Sequence, residues 1–172
     1  MLMYKNGDAS AFEHLYARHK GPVYRYVLRH CTDKNIAEEL FQDIWMKLIN
    51  ARERYEVKAA FKTYLYQVAH NRIIDHFRKE KIGGNETNNS EIDQLQSSQQ
   101  DQPEIYSEME QQTLKILDCI AGLQADQRDV FLLKEEAGMS IHAIAGILGI
   151  NPETAKSRLR YAVKKLRQAL DE

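Results

Sequence analysis

The sequence predicts an all-α protein of two small helical domains, an N-terminal helical bundle and a C-terminal helix-turn-helix, joined by a flexible acidic linker. Three observations predict it. Apolar residues recur at intervals of three and four from Asp8 to about Lys81, and again from about Glu104 to the end, which is the period of an amphipathic helix. Only three prolines and eight glycines punctuate the 172 residues, too few for a turn-rich β fold. Between the two periodic blocks runs IGGNETNNSEIDQLQSSQQDQP, which offers almost nothing to bury. The expected division is therefore 1–81, a linker over 82–103, and 104–172.

Each element has its own signal. Asp8 or Ser10 can start a first helix through Phe12, Leu15 and Tyr16, and Gly21-Pro22 should interrupt it. A second helix carries Val23, Tyr24, Val27 and Leu28. Thr32-Asp33 caps a third, which places Ile36, Leu40, Phe41, Ile44, Trp45 and Leu48 on one broad face. Trp45 suits either the core or an exposed contact. After a charged loop, Asn50 to Lys58, a fourth helix is expected from about Ala59 to Arg78, with Phe61, Leu65, Val68, Ala69 and Ile73 inward. In the second block one helix holds Leu114, Leu117 and Ile120, and another runs from Ala125 to Ala137, closed by Gly138.

The last thirty residues are the most informative. Ser140 caps a short helix, Ile141–Leu148, with Ile141, Ile144, Ala145 and Leu148 inward; Gly149 supplies a positive φ, and Asn151-Pro152 opens the final helix. That spacing is a helix-turn-helix. Ala155, Leu159, Val163, Leu166 and Leu170 form one apolar stripe of the final helix. Glu153, Ser157, Arg160 and Lys164 lie opposite, with Lys156 and Tyr161 flanking and Thr154 and Arg158 completing the set. Short polar groups near a helix N-terminus with cations behind them suit base edges and phosphates of duplex DNA.

Charge segregation agrees. The net charge is −1, yet residues 1–81 hold fifteen Lys/Arg against ten Asp/Glu, and residues 82–112 hold none against seven. Residues 151–168 hold six against one, and local fields rather than the total attract phosphate. Catalysis is not indicated: no H-E-x-x-H, G-x-S-x-G or Walker glycine loop occurs, so no enzyme, cofactor or metal site is expected. Cys31 and Cys119 have no zinc-ligand spacing and read as two reduced thiols. His70 and His76 could contact phosphate or bases, and surface-exposed histidine is the expected reading. No basic-then-apolar leader and no long apolar run occurs, so a cytoplasmic protein with no membrane association is expected.

LQADQRDVFLLKEEAGMSIHAIAGILGINPETAKSRLRYAVKKLR resembles the C-terminal, −35-reading domain of extracytoplasmic-function (ECF) sigma factors. GDASAFEHLYARHKGPVYRYVLRHCTDKNIAEELFQDIWMKLI and FKTYLYQVAHNRIIDHFRK resemble their N-terminal domain. The resemblance implies a sigma factor that brings core RNA polymerase to promoter DNA, with an anti-sigma factor as a further partner. It implies that Glu38, Glu39, Gln42, Asp43 and Met46 dock on the polymerase. It also implies that Lys62, Tyr64, Gln67, Asn71, Arg72, Asp75, Arg78 and Lys79 recognise and open the −10 element, with the loop Asn50–Lys58 helping to hold a flipped base. The chemistry fits, because aromatic faces stack on unpaired bases, amides read their edges and cations hold the backbone. Tyr64 and Tyr66 suit the core equally well, and Asp75 equally suits an ion pair with Arg78 or Arg72. The linker, by resemblance, threads toward the RNA exit path.

Two other readings compete. A response-regulator-type transcription regulator would need a receiver domain with alternating strands, which the first block does not offer. A helical sigma/anti-sigma interaction protein would not need the cations of the last helix.

Overall fold

The computed structural model describes residues 1–31, 33–83 and 108–171. They form eight helices: α1 (Leu2–Lys5), α2 (Ala9–Leu28), α3 (Lys34–Asn50), α4 (Phe61–Gly83), α5 (Glu108–Ala121), α6 (Ala125–Glu135), α7 (Ile141–Leu148) and α8 (Pro152–Asp171). The all-α expectation is met, with no strand among the described residues. The expected linker, 82–103, lies outside the described residues except for positions 82 and 83, which extend α4.

The helix starts follow their caps. Asp8 accepts from the Ala11 N–H at 3.2 Å, Asp33 from the Asn35 N–H at 2.7 Å, Ser140 from the Ala143 N–H at 3.2 Å and Asn151 from the Thr154 N–H at 2.7 Å. Each satisfies a donor that the first turn of a helix leaves open. One expected boundary is absent: α2 continues through Gly21-Pro22. A proline inside a helix forfeits one backbone bond and costs about 3 kcal/mol. The turn that follows buries Val23, Tyr26 and Val27 completely, and each such side chain returns about 1.5–3 kcal/mol. Packing therefore outweighs the breaker.

In the N-terminal domain α3 lies between α2 and α4. Leu40, Ile44, Trp45 and Leu48 from α3 meet Val23, Tyr26 and Val27 from α2 and Leu65, Tyr66, Ala69 and Ile73 from α4. Trp45 is core: its ring stands edge-on to Tyr16 at 4.8 Å, Phe12 at 5.9 Å and Phe41 at 6.2 Å. A polar tie crosses the same layer, with the Arg72 Nε and Nη2 groups donating to Asp43 Oδ2 at 2.8 and 2.6 Å.

In the C-terminal domain α8 packs on α5, α6 and α7. Ala155, Ala162 and Leu166 are its buried residues, whereas Leu159 and Val163 are only half-buried and Leu170 is exposed. The buried stripe is thus rotated from the expected one toward the small residues, because an alanine lets a neighbouring helix approach more closely than a leucine. Gly149 (φ +64°) turns the chain between α7 and α8, and Gly138 (φ +57°) follows α6. A non-glycine residue pays about 1–2 kcal/mol in that region.

The two domains touch. α4 packs on α7, and side-chain contacts form a polar seam between the end of α2 and α6. Arg25 Nε and Arg29 Nε lie 2.9 and 2.7 Å from the two oxygens of Glu136. His30 Nε2 lies 2.6 Å from Asp129 Oδ1. His70 is not a surface residue: it is 13 % exposed, with Nδ1 4.0 Å from Asp129 Oδ2. Burial, more than the opposing pull of Asp129, holds His70 below the usual histidine value. His76 is also largely covered, beside Glu80 at 3.4 Å.

Two outcomes test this packing. Asp43→Ala and Arg72→Ala each destabilise the protein, and the double substitution costs less than their sum, with a coupling of about 1 kcal/mol in urea unfolding. Cys31 resists alkylation at pH 8 until the protein is unfolded, as read by mass spectrometry. Burial first, then the Glu80 and Asp33 carboxylates, push its thiol up to about 12.

Candidate nucleic-acid interface

Turning Ala155, Ala162 and Leu166 inward sets what α8 shows to solvent. Glu153, Lys156, Arg160, Tyr161 and Lys164 are exposed, and Thr154 and Ser157 are half-buried at the same end. Tyr161 is 55 % exposed, with the Arg160 guanidinium 5.5 Å from its ring centroid. The Lys156 ammonium donates to Glu153 at 2.7 Å and holds that carboxyl below its ordinary value. Arg158 departs from this face. It sits three residues after Ala155 and four before Ala162, on the covered side, and pairs with Asp126 at the start of α6.

Beside the exposed face runs an open cleft of about 590 Å³, floored by Ile141, Leu159 and Val163 and edged by Lys156, Arg160, Lys164 and Arg167. Arg167 was not among the expected contacts. Its place on the stripe Arg160, Lys164, Arg167, at intervals of four and three, is the signal that finds it.

On α4, Lys62, Gln67, Asn71, Arg78 and Lys79 are exposed. Tyr64 is half-buried and stands edge-on to Tyr55 at 5.2 Å; burial, then Tyr55, raises its hydroxyl above the ordinary value. Tyr66 belongs to the core. Arg72 is committed to Asp43, and Asp75 accepts from Arg78 at 2.9 Å. Of the expected stripe, then, Lys62, Gln67, Asn71 and Lys79 project to solvent, Tyr64 lines a wall, Arg72 pairs with Asp43, and Arg78 and Asp75 pair with each other.

The charged loop before α4 completes that wall. A cleft of about 300 Å³ opens between the loop and the first two turns of α4, lined among others by Arg54, Tyr55, Lys58, Thr63, Tyr64 and Gln67. A planar ring held there meets tyrosine, an amide and two cations, the groups that bind an unstacked base. On α3, Glu38, Glu39, Gln42 and Met46 are exposed, Met46 at 51 %, whereas Asp43 is half-buried against Arg72.

Comparison with known proteins places these faces in one frame. Residues 15–82 match the family described as Sigma-70 region 2, and residues 113–166 match Sigma-70, region 4. The ECF RNA polymerase sigma factor SigL of Mycobacterium tuberculosis (strain Erdman) is 34 % identical over 174 residues, covering 96 % of this chain and 92 % of that protein. The RNA polymerase sigma factor CarQ of Myxococcus xanthus is 27 % identical over 172 residues, covering 100 % and 96 %. Among solved structures, the sigma factor RpoE in complex with the anti-sigma factor NepR from Bartonella quintana superposes with a TM-score of 0.75 at 21 % identity, covering 95 % of this chain and 98 % of that one. CnrH in complex with the cytosolic domain of CnrY gives 0.72 at 18 %, covering 99 % and 94 %. With region 2 carrying the aromatic-amide helix, region 4 carrying the cationic one, and near-complete coverage of its relatives, the chain belongs to the ECF sigma factors of the sigma-70 family.

Proposed function

We propose that the chain directs core RNA polymerase to specific promoters and starts transcription there without catalysis of its own, in the cytoplasm. The observation that carries this reading is that both regions leave a reading face open within one chain. The α8 face (Lys156, Arg160, Tyr161, Lys164) suits a major groove, and the α4 wall with its loop cleft suits an unpaired base.

At the −35 element the N-terminal turns of α8 meet base edges while Lys164 and Arg167 reach phosphate. A bidentate Arg–guanine contact contributes about 1–3 kcal/mol of discrimination. At the −10 element a base is drawn from the stack into the cleft beside Tyr64. Unstacking costs a few kcal/mol, and stacking on an aromatic ring returns about 1–3 kcal/mol per base. Asn71, Arg78 and Lys79, farther along α4, hold the strand. Arg72 acts through Asp43, fixing α4 against α3, rather than by touching DNA.

The polymerase-facing surface is Glu38, Glu39, Gln42 and Met46: carboxylates that orient a basic partner around an exposed methionine that supplies apolar contact. An anti-sigma factor is a further partner. The two solved relatives above are complexes of that kind or with a cytosolic domain, and the cationic, apolar-floored cleft on α8 is a surface such a partner can cover.

Reconstitution with core polymerase tests the reading: initiation from a cognate promoter requires both proteins, and dependence on neither polymerase nor promoter sequence refutes it. Arg160→Ala lowers initiation about tenfold or more and leaves the core-binding constant unchanged. Met46→Asp with Glu38→Lys weakens core binding first, as read by fluorescence anisotropy. Asp43 is a poor probe of docking, because its charge also holds Arg72.

A further inference from the structure

The polar seam between the domains has features that a permanent interface lacks. Asp129 is 8 % exposed, yet its hydrogen bond comes from the other domain, at His30 in the turn after α2. Its own neighbour Arg128 instead donates to the carbonyls of Ala121 and Leu123. A buried carboxylate unpaired within its own domain is costly there unless water or a partner meets it.

His30 is the partner. Its Nδ1 lies 2.7 Å from the Tyr26 carbonyl and its Nε2 lies 2.6 Å from Asp129. The ring thus ties the end of α2, at Tyr26, to α6, at Asp129. One turn away the pattern repeats with fixed charges, Arg25 and Arg29 on Glu136. The basic side chains come from the last turn of α2 and the turn after it, with His70 of α4 beside them, and the carboxylates come from α6 and the residue that follows it.

The same seam seals polar atoms without partners. Tyr26 Oη, Tyr66 Oη and His70 Nδ1 are buried and make no hydrogen bond. Asp129 lies near enough to Tyr26, and Glu136 to Tyr66, to raise both hydroxyls above their ordinary values, behind burial as the main cause. Each unpartnered group gains a water when the domains part. Apolar packing of α4 on α7 and these ion pairs hold the contact, and the unsatisfied groups oppose it.

The geometry points to an autoinhibitory clasp: in the free chain His30–Asp129 and Arg25/Arg29–Glu136 hold region 4 against region 2, and they must break before the two reading faces can engage separate promoter elements. The inhibitory part rests on the function proposed above. Placement supports it, because the turn after α6 sits over the first turn of α4. The Lys62 ammonium, an expected −10 contact, lies 3.8 Å from where a Cβ on Gly138 would be.

Small-angle scattering of the full-length free protein tests the clasp, with circular dichroism reporting helix content. Glu136→Arg, and separately Asp129→Asn with His30→Gln, increase the radius of gyration at unchanged helicity. Arg25→Glu and Arg29→Glu added to Glu136→Arg restore the compact form. In promoter-dependent transcription the opened variants reach half-maximal activity at about threefold lower concentration or less, since the closed population no longer reduces apparent affinity. Unchanged dimensions in both opened variants overturn the clasp. Expansion with an unchanged or higher half-maximal concentration overturns its inhibitory role. Absence of polymerase-dependent transcription from the wild type instead overturns the function proposed above and the inhibitory role with it, while scattering still decides whether the clasp closes the free chain.

Discussion

Most of a helix's stability in a protein comes from burying one face against a neighbour rather than from intrinsic propensity. That constraint decides which residues remain for function. α3 spends Leu40, Ile44, Trp45 and Leu48 on the core and is left with Glu38, Glu39, Gln42 and Met46. α8 spends Ala155, Ala162 and Leu166 and is left with a cationic stripe. A rotation of either helix by one residue would exchange carboxylates, cations and aliphatics between inside and outside. The two exposed surfaces are thus the complements of two packing solutions.

The seam between the domains obeys different physics. Beside the apolar packing of α4 on α7, the seam is bridged by charge and carries orphaned hydroxyls and an orphaned imidazole nitrogen. Burial of aliphatic surface is non-directional and hard to reverse piecemeal. Charged pairs lose little on exposure, because water solvates both members. The cleft between α4 and the loop before it is present in this same compact arrangement.

Much of the site was legible in the chain because helical faces repeat. The cations Lys156, Arg160 and Lys164 were assigned to the open side of α8 from angle alone, and Asp33, Ser140 and Asn151 announced their helices through short polar side chains. Arg158 and Arg72 illustrate the limit. Each is a long cation at a plausible face position, yet each is claimed by a carboxylate from another helix, Asp126 and Asp43. Periodicity describes one helix at a time and carries no information about a partner thirty residues away. The same holds for His70, which reads as a surface residue until α6 is laid beside α4.

What the amino-acid order determined by itself was local: helix type, most helix starts, the positive-φ turn at Gly149, and the composition of each exposed stripe. These follow from short-range sterics, capping and the 3.6-residue period. Only the tertiary structure decided that α2 runs on through Pro22, that α8 rolls onto its alanines, that Asp43 and Arg72 join, and that α2 and α6 meet through His30 and Asp129. Those outcomes depend on which surfaces come together, and the free energy of a contact belongs to the pair rather than to either residue.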